Sequence, residues 1–160
     1  MNSYLADSML GKLSRWLRIL GYYVEYVTPE YDDDRIIRIC TDGSLVLLTR
    51  DRELSQRYER SILFQDDDLA SQIKKVVSFD PPDENLFFSR CSLCNGILTK
   101  ANPGDIQYTV PEDVLRRKLD IYVCTKCGKV YWKGSHYNSM MRQIEAFLGG
   151  NGNDSGTRKE

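Results

Sequence analysis

The sequence predicts an α/β domain built around a central parallel sheet, followed by a small cysteine-rich module. Short apolar segments alternate with helix-like segments four times between residues 4 and 79. Strands that alternate with helices of this length form parallel sheets with right-handed crossovers. Two Cys-x-x-Cys pairs then stand between residues 91 and 127. A chain of 160 residues has room for one ordinary domain and one such module.

The segment at residues 45–48 is the predicted central strand. It is a continuous apolar run of Leu and Val, preceded by Gly43 and followed by Thr-Arg-Asp. Such a run is typical of a strand buried on both faces in the middle of a parallel sheet. The strand leads directly to a carboxylate, Asp51.

The other units repeat the order of strand, acid and helix. The leucines of the first helix recur at helical spacing, and the second strand is aromatic and β-branched. Lone Cys40 lies on an apolar helix face, so we expect it to be buried as a small hydrophobic residue. The strands are predicted at residues 4–6, 22–27, 45–48 and 61–64, and the helices at residues 9–20, 36–43, 53–58 and 69–77.

Composition shifts divide the chain into four parts. We predict a domain at residues 1–79, a Pro- and Asp-rich linker at 80–87, the cysteine-rich module at 88–148, and a disordered tail at 149–160. No apolar run approaches the roughly 20 residues that span a bilayer. The N-terminus lacks the pattern of a signal peptide, so a cytoplasmic location is expected.

Acidic residues follow each of the four predicted strands. Parallel strands end at the same edge of a sheet, so Asp7, one of Asp32–Asp34, Asp51, and one of Asp66–Asp68 are expected to gather there. Clustered carboxylates repel one another unless a cation lies among them. Oxygen ligands without His or Cys suit Mg²⁺ or Mn²⁺, which activate water and stabilise phosphoryl oxygens.

Helix capping is the alternative for these acids. Asp is a favoured N-cap residue, and each acidic cluster precedes a helix. Capping is at least as good an explanation as metal binding for Asp33, Asp34, Asp67 and Asp68. Asp7 and Asp51 are better metal ligands because each follows its strand closely.

The two cysteine pairs indicate a structural zinc site. Cys91, Cys94, Cys124 and Cys127 provide four thiolates at a spacing that fits one tetrahedral ion. A redox Cys-x-x-Cys is the alternative, but that motif needs one pair at a helix start in a βαβ unit. Disulfides are disfavoured by the expected cytoplasmic location.

The segment after the second pair suits RNA. Trp132, Lys133 and His136 combine an aromatic ring, a positive charge and an imidazole within five residues. Packing in the hairpin of the module explains Trp132 equally well. Charge is also divided unevenly: residues 1–84 carry 11 Lys/Arg and 16 Asp/Glu (net −5), and residues 85–160 carry 11 and 7 (net +4). A basic module offsets the repulsion between an acidic site and the RNA backbone.

Four motifs resemble the mutator-seven C-terminal RNase family. They occur in order at residues 5–21, 47–54, 90–98 and 131–136, and the resemblance covers residues 4–140. The resemblance implies a PIN-like three-layer α/β/α domain followed by a Cys₄ zinc ribbon. It also implies a divalent-metal-dependent ribonuclease, with Asp7 and Asp51 as metal ligands. The family shows Asp-Asp-Glu-Leu at the second acidic site, where this chain has Asp-Asp-Arg-Ile.

The sequence analysis thus favours a metal-dependent ribonuclease, with endonuclease action preferred and ribosomal or transfer RNA as candidate substrates. The predicted catalytic acids are Asp7, Asp33, Asp34, Asp51, Asp66 and Asp67. Of these, the predicted Mg²⁺ or Mn²⁺ ligands are Asp7, Asp33, Asp51 and Asp66. The predicted RNA contacts are Lys12, Arg15, Arg18, Trp132, Lys133 and His136.

Two other classes remain open from the sequence. One is a non-catalytic RNA- or ribosome-binding protein, in which the acids only cap helices. The other is an interaction protein whose ribbon binds a protein partner. Metal-dependent cleavage separates the nuclease from the first, and salt-dependent RNA binding separates it from the second.

Overall fold

The four N-terminal strands form one parallel sheet in the computed structural model, which describes residues 1–102, 104 and 110–149. Across the sheet their order is β2-β1-β3-β4, and every neighbouring pair is parallel. The predicted α/β class with a central parallel sheet is therefore confirmed. The strands are β1 (Ser3–Ala6), β2 (Tyr23–Tyr26), β3 (Val46–Thr49) and β4 (Ser61–Leu63).

A helix follows each strand. The first begins later than the sequence predicts, because Ser8–Leu10 form a 3₁₀ turn before it. The helices are α1 (Gly11–Ile19), α2 (Asp33–Asp42), α3 (Arg52–Arg57) and α4 (Leu69–Phe79).

Alternate residues of the central strands face two separate apolar layers. Tyr4 and Ala6 of β1 contribute to the core shared with α1 and α4, while Leu5 between them faces the core shared with α2 and α3. All four residues of β3 are buried. Cys40 of α2 is fully buried in the second layer, as its apolar face predicts. The sheet therefore has helices on both faces.

The last described helix, α6 (Ser135–Leu148), packs on the first of these layers. Ile144 is 1 % exposed within the core, and the ring of Phe147 meets that of Trp16 edge to face at 5.2 Å between centroids. Sequence reasoning assigned this segment to the cysteine-rich module and did not identify the helix. The helix packs against α1 and α4 of the N-terminal domain and continues the chain directly from the module.

Three short strands form the module itself. Strands β5 (Leu98–Lys100), β6 (Ile121–Cys124) and β7 (Val130–Trp132) pair antiparallel in that order. Beside them, α5 (Glu112–Arg116) adds Val114 to a small apolar core. This antiparallel sheet, with its four cysteines at one end, is compatible with a zinc ribbon.

Residues 80–87, the predicted linker, make specific contacts with the N-terminal sheet. The Asp80 carboxylate accepts hydrogen bonds from the backbone N–H of Asn2 at 2.6 Å and the hydroxyl of Tyr4 at 2.8 Å. Gly21 has φ +90°, and a Cβ there would lie 2.6 Å from the carbonyl oxygen of Leu86. The backbone therefore approaches the sheet closely at a position that requires glycine.

The division into domains at this segment stays a prediction. The predicted tail lies, apart from Gly149, outside the described residues. Among the described helices, none has the length and apolar character needed to cross a bilayer.

Candidate active site and metal centre

Asp7 and Asp51 lie at the ends of the two central strands. The strands β1 and β3 are hydrogen-bonded neighbours, while the chain passes from β1 to β2 on the other side before it returns to β3. The strand order therefore reverses between β1 and β3, which is where open parallel sheets bind ligands. We call the sheet edge that carries these two aspartates the acid edge.

Three donors hold the carboxylate of Asp7, which is 5 % exposed. Its Oδ1 accepts the backbone N–H of Met9 at 2.9 Å, and its Oδ2 accepts the Thr49 hydroxyl and the backbone N–H of Arg50, the latter at 3.1 Å. An ionised carboxylate has about four acceptor positions, so one stays available for a cation.

Thr49 connects Asp7 to Asp51. Its hydroxyl donates to Asp7 and accepts the backbone N–H of Asp51 at 2.9 Å, and the residue is fully buried. Asp51 itself is exposed, and its Oδ1 accepts the backbone N–H of Leu54 as the N-cap of α3. Sequence reasoning did not identify Thr49 as part of the site. Its position between the strand and Asp51 was the available signal.

The second acidic cluster is divided between a cap and an ion pair. Asp32 is the N-cap of α2 and accepts the backbone N–H of Arg35 at 2.8 Å. Asp33 and Asp34 both pair with the guanidinium of Arg57, Asp33 at 3.2 Å. Exposed ion pairs contribute about 0–1 kcal/mol. A metal ion could therefore replace the Arg57 guanidinium as the partner of Asp33 and Asp34 at little cost in free energy.

The third cluster separates its acids in a similar way. Asp68 is the N-cap of α4, and the backbone N–H of Ser71 holds the pKa of Asp68 below its usual value. Asp67 pairs with the guanidinium of Arg50. Asp66 lines a cavity of about 300 Å³ beside α4. Capping, the sequence alternative, thus holds for Asp68, while Asp33, Asp34 and Asp67 pair with arginines.

The acids follow the ends of the four parallel strands but are not assembled into one cluster. In the described part of the chain, no three carboxylates bring their oxygens within 4.8 Å of one another. Asp32, Asp51 and Asp68 cap helices, and Asp33, Asp34 and Asp67 pair with arginines. The shared site of Asp7, Asp33, Asp51 and Asp66 therefore stays a prediction. Arg50, which sequence reasoning did not select, brings a positive charge among them.

The four predicted zinc ligands do converge. The sulfurs of Cys91, Cys94, Cys124 and Cys127 lie within 4.8 Å of one another. The Cys91–Cys127 and Cys94–Cys124 separations are 3.7 and 3.4 Å. Four thiolates at about 2.3 Å from one tetrahedral zinc lie about 3.8 Å apart, so the set matches such an ion and excludes disulfides at about 2.05 Å.

The two cysteine turns have matching backbone conformations. The residue after the second cysteine of each pair has positive φ, which is +66° at Asn95 and +73° at Gly128. Gly96 is also required by packing, because a Cβ there would lie 2.7 Å from the sulfur of Cys124. Asn95, Gly96 and Gly128 therefore allow the two turns to bring their four cysteine sulfurs together.

The thiols need a cation to ionise together. Burial opposes ionisation of Cys91, but hydrogen bonds from the Tyr131 hydroxyl and from backbone N–H groups lower its pKa to about 6. The pKa of Cys94 is raised to about 12, by burial and then by hydrogen bonds with the other cysteines. Four thiolates this close together repel one another, so their joint ionisation requires a bound cation.

Arg18 is buried between α1 and the cysteine turns, so the prediction that it contacts RNA is wrong. The side chain is buried (residue 5 % exposed), and its Nε and Nη2 donate to the carbonyl oxygen of Val24. Its Nη1 donates to the carbonyl oxygens of Ser92 and Leu93 at 3.2 and 2.9 Å. The helical pattern suggested a solvent-facing arginine, because the sequence does not show that the ribbon covers this face.

The other predicted RNA contacts are accessible. Lys12 and Arg15 are exposed on α1, and Lys133 and His136 are exposed on the ribbon side. Trp132 is 37 % exposed. Tyr131, by contrast, donates its hydroxyl to the sulfur of Cys91 at 3.0 Å and supports the cysteine cluster.

Comparison with protein families identifies the chain. Residues 2–144 match the Mut7-C RNAse domain. The chain belongs to this family. The Mut7-C assignment confirms the resemblance inferred from the four motifs and supports a nuclease-type function with RNA as substrate. Comparisons with curated proteins and with solved structures gave no match.

Proposed function

We propose that this Mut7-C chain is a divalent-metal-dependent ribonuclease that hydrolyses RNA phosphodiester bonds at the acid edge. One observation supports this most directly: in a member of an RNase family, a buried carboxylate and an exposed carboxylate flank the reversal point of a parallel sheet. Endonuclease action, with ribosomal or transfer RNA as substrate, in the cytoplasm, is part of the proposal.

The oxygen donors at this edge suit Mg²⁺ or Mn²⁺. Asp7 and Asp51 would hold the ion, with Asp33 and Asp66 as further ligands after rearrangement of their side chains. When bound, such an ion activates water and neutralises charge on the phosphodiester.

The residues of the chain orient the carboxylates. The Thr49 hydroxyl and the backbone N–H of Arg50 fix the plane of the Asp7 carboxylate. The Arg50 guanidinium would bind a phosphate oxygen of the RNA after its ion pair with Asp67 breaks.

The cysteine cluster would hold a structural Zn²⁺, because its sulfur set is complete and leaves no open position for substrate. The ribbon would bind RNA through Trp132 and Lys133, with His136 beside them. Lys12 and Arg15 would add positive charge along α1.

The experiment compares Asp51→Asn with Asp83→Asn. Asn is as good an N-cap as Asp, so both variants should keep their helical caps, while only the first removes charge from the acid edge. Cleavage of single-stranded and structured RNAs with Mg²⁺ or Mn²⁺ should fall at least about 100-fold for Asp51→Asn only. RNA binding should persist or tighten slightly.

A non-catalytic RNA-binding function is the second candidate. It is favoured by the caps and ion pairs that engage the acids. Absence of metal-dependent cleavage by the unmodified protein, with intact RNA binding, would support it. An Asp51→Asn variant that cleaves normally but melts early would show that Asp51 is only a cap.

A further inference from the structure

A cleft between the ribbon and α6 has the chemistry of a nucleotide-binding site. It has a volume of about 730 Å³, more than twice that of the cavity beside Asp66. This lies within the roughly 300–1,000 Å³ of small-molecule sites. Residues from β6, β7, α6 and the segment around Phe88 line this ribbon–α6 cleft.

The described charged residues of the ribbon–α6 cleft have one sign. Among the residues that the structure describes, Arg90, Lys129 and Lys133 line the cleft and no Asp or Glu does. In the described part of the chain, none of the three forms an ion pair with a carboxylate within 4.0 Å. Asp120, which influences Lys133 electrostatically, pairs with Lys100 at 2.8 Å. The cleft therefore favours an anionic occupant.

Aromatic rings form much of its wall. The Lys133 ammonium lies 5.7 Å from the ring centroid of Tyr122 and 5.6 Å from that of Tyr137. Tyr137 also packs on Phe88, with 4.5 Å between ring centroids. Trp132 contributes a partly exposed indole. An occupant that is both anionic and flat satisfies these surfaces, as a nucleotide with an unstacked base does.

Phe88 is held in an unfavourable conformation at this wall. Its φ is +57°, which is rare for an aromatic residue, and its backbone N–H donates to the carbonyl oxygen of Ile19 at 2.7 Å. Backbone strain of this kind occurs often at binding sites. The strain here fixes the ring against Tyr137 before any ligand binds.

The ribbon–α6 cleft and the acid edge lie at opposite ends of α1. This helix starts at Gly11, beside the end of β1, and finishes at Ile19, which lines the cleft. Its nine residues are about 13 Å long at 1.5 Å per residue. One RNA strand can reach both sites by passing the exposed Lys12 and Arg15.

We propose that the ribbon–α6 cleft binds an unstacked nucleotide of single-stranded RNA and anchors the strand away from the acid edge. The proposal rests on the proposed ribonuclease function only for the role of the anchor, because the binding itself needs no cleavage. Duplex RNA does not fit, since its bases are stacked inside the helix.

The test measures binding of a labelled oligouridylate of about 12 nucleotides without added Mg²⁺ or Mn²⁺. Tyr137→Leu should weaken binding roughly 5- to 100-fold, while Phe79→Leu, which changes an exposed ring outside the cleft, should not. Lys133→Gln should lower the salt slope by about 0.7, and Arg142→Gln, an exposed change on α6 outside the cleft, should leave it unchanged.

Tryptophan fluorescence gives a local readout. Oligouridylate should quench Trp132, and Trp132→Phe should abolish the quenching, because Trp16 packs against Phe147. The proposal would be overturned if the cleft variants and their controls changed oligouridylate binding equally. It would also be overturned if a polyglutamate peptide bound as tightly as oligouridylate. Because cleavage is not measured, failure here is distinct from failure of Asp51→Asn to lose activity.

Discussion

At the residue scale, the acid edge depends on one buried hydroxyl. The Thr49 hydroxyl donates a hydrogen bond to the Asp7 carboxylate and accepts one from the backbone N–H of Asp51. Both aspartates could be predicted from the sequence, because strand ends are visible in the apolar pattern. The arginine partners of the other acids could not, because Arg50 and Arg57 reach them across loops that no local pattern encodes.

We expect Thr49→Val to destabilise the protein by about 1–3 kcal/mol, because the Asp51 N–H loses its acceptor and Asp7 loses a donor inside the fold. Thr49→Ser keeps the hydroxyl and should recover most of that loss. Urea unfolding measures both variants. Equal stability of Thr49→Val and the unmodified protein would show that the hydroxyl contributes nothing.

At the scale of elements, α1 joins the two halves through Arg18. The sequence predicts the helix from its leucine spacing, but it gives no sign that the ribbon would cover Arg18. The same limit applies to α6. Its apolar residues Met140, Ile144 and Phe147 follow helical spacing, yet the surface that they cover is formed by α1 and α4, far earlier in the chain.

Arg18→Lys should destabilise the protein by about 2–4 kcal/mol. Lysine has no planar fork and cannot serve the carbonyls of Val24, Ser92 and Leu93 together. Arg15→Lys, an exposed change on the same helix, is the matched control. Thermal unfolding compares the two, and an equal small shift in both variants would contradict the role given to Arg18.

At the scale of the whole molecule, hydrogen bonds and a common apolar core join the ribbon to the N-terminal domain. Phe88 and Arg90 donate to the carbonyl oxygens of Ile19 and Gly21, and α6 returns from the ribbon to the first core. The sequence separates the two parts by composition and charge. The contacts between them are distant in the chain, so no local pattern predicts them.

Treatment with a strong zinc chelator should therefore lower the local stability of both the ribbon and the N-terminal sheet. We expect amide protection to fall in β6 and also in β1, because the ribbon positions Arg18 and the start of α6. Hydrogen exchange with and without chelator measures this. Loss of protection in β6 alone would instead support the domain boundary at residues 80–87, and tightly folded protein without bound zinc would exclude the metal's structural role.

The position of α6 also has a consequence for synthesis of the chain. Helices α1 and α4 cover one face of the sheet, and α6, which packs against them, ends 69 residues after the end of α4 (148 − 79). At 5–20 residues per second, that interval is roughly 3–14 s. During this time the apolar surface that Ile144 and Phe147 later cover is exposed, because the ribbon separates α4 from α6 in the chain. Completion of the first core therefore waits until the ribbon has been synthesised.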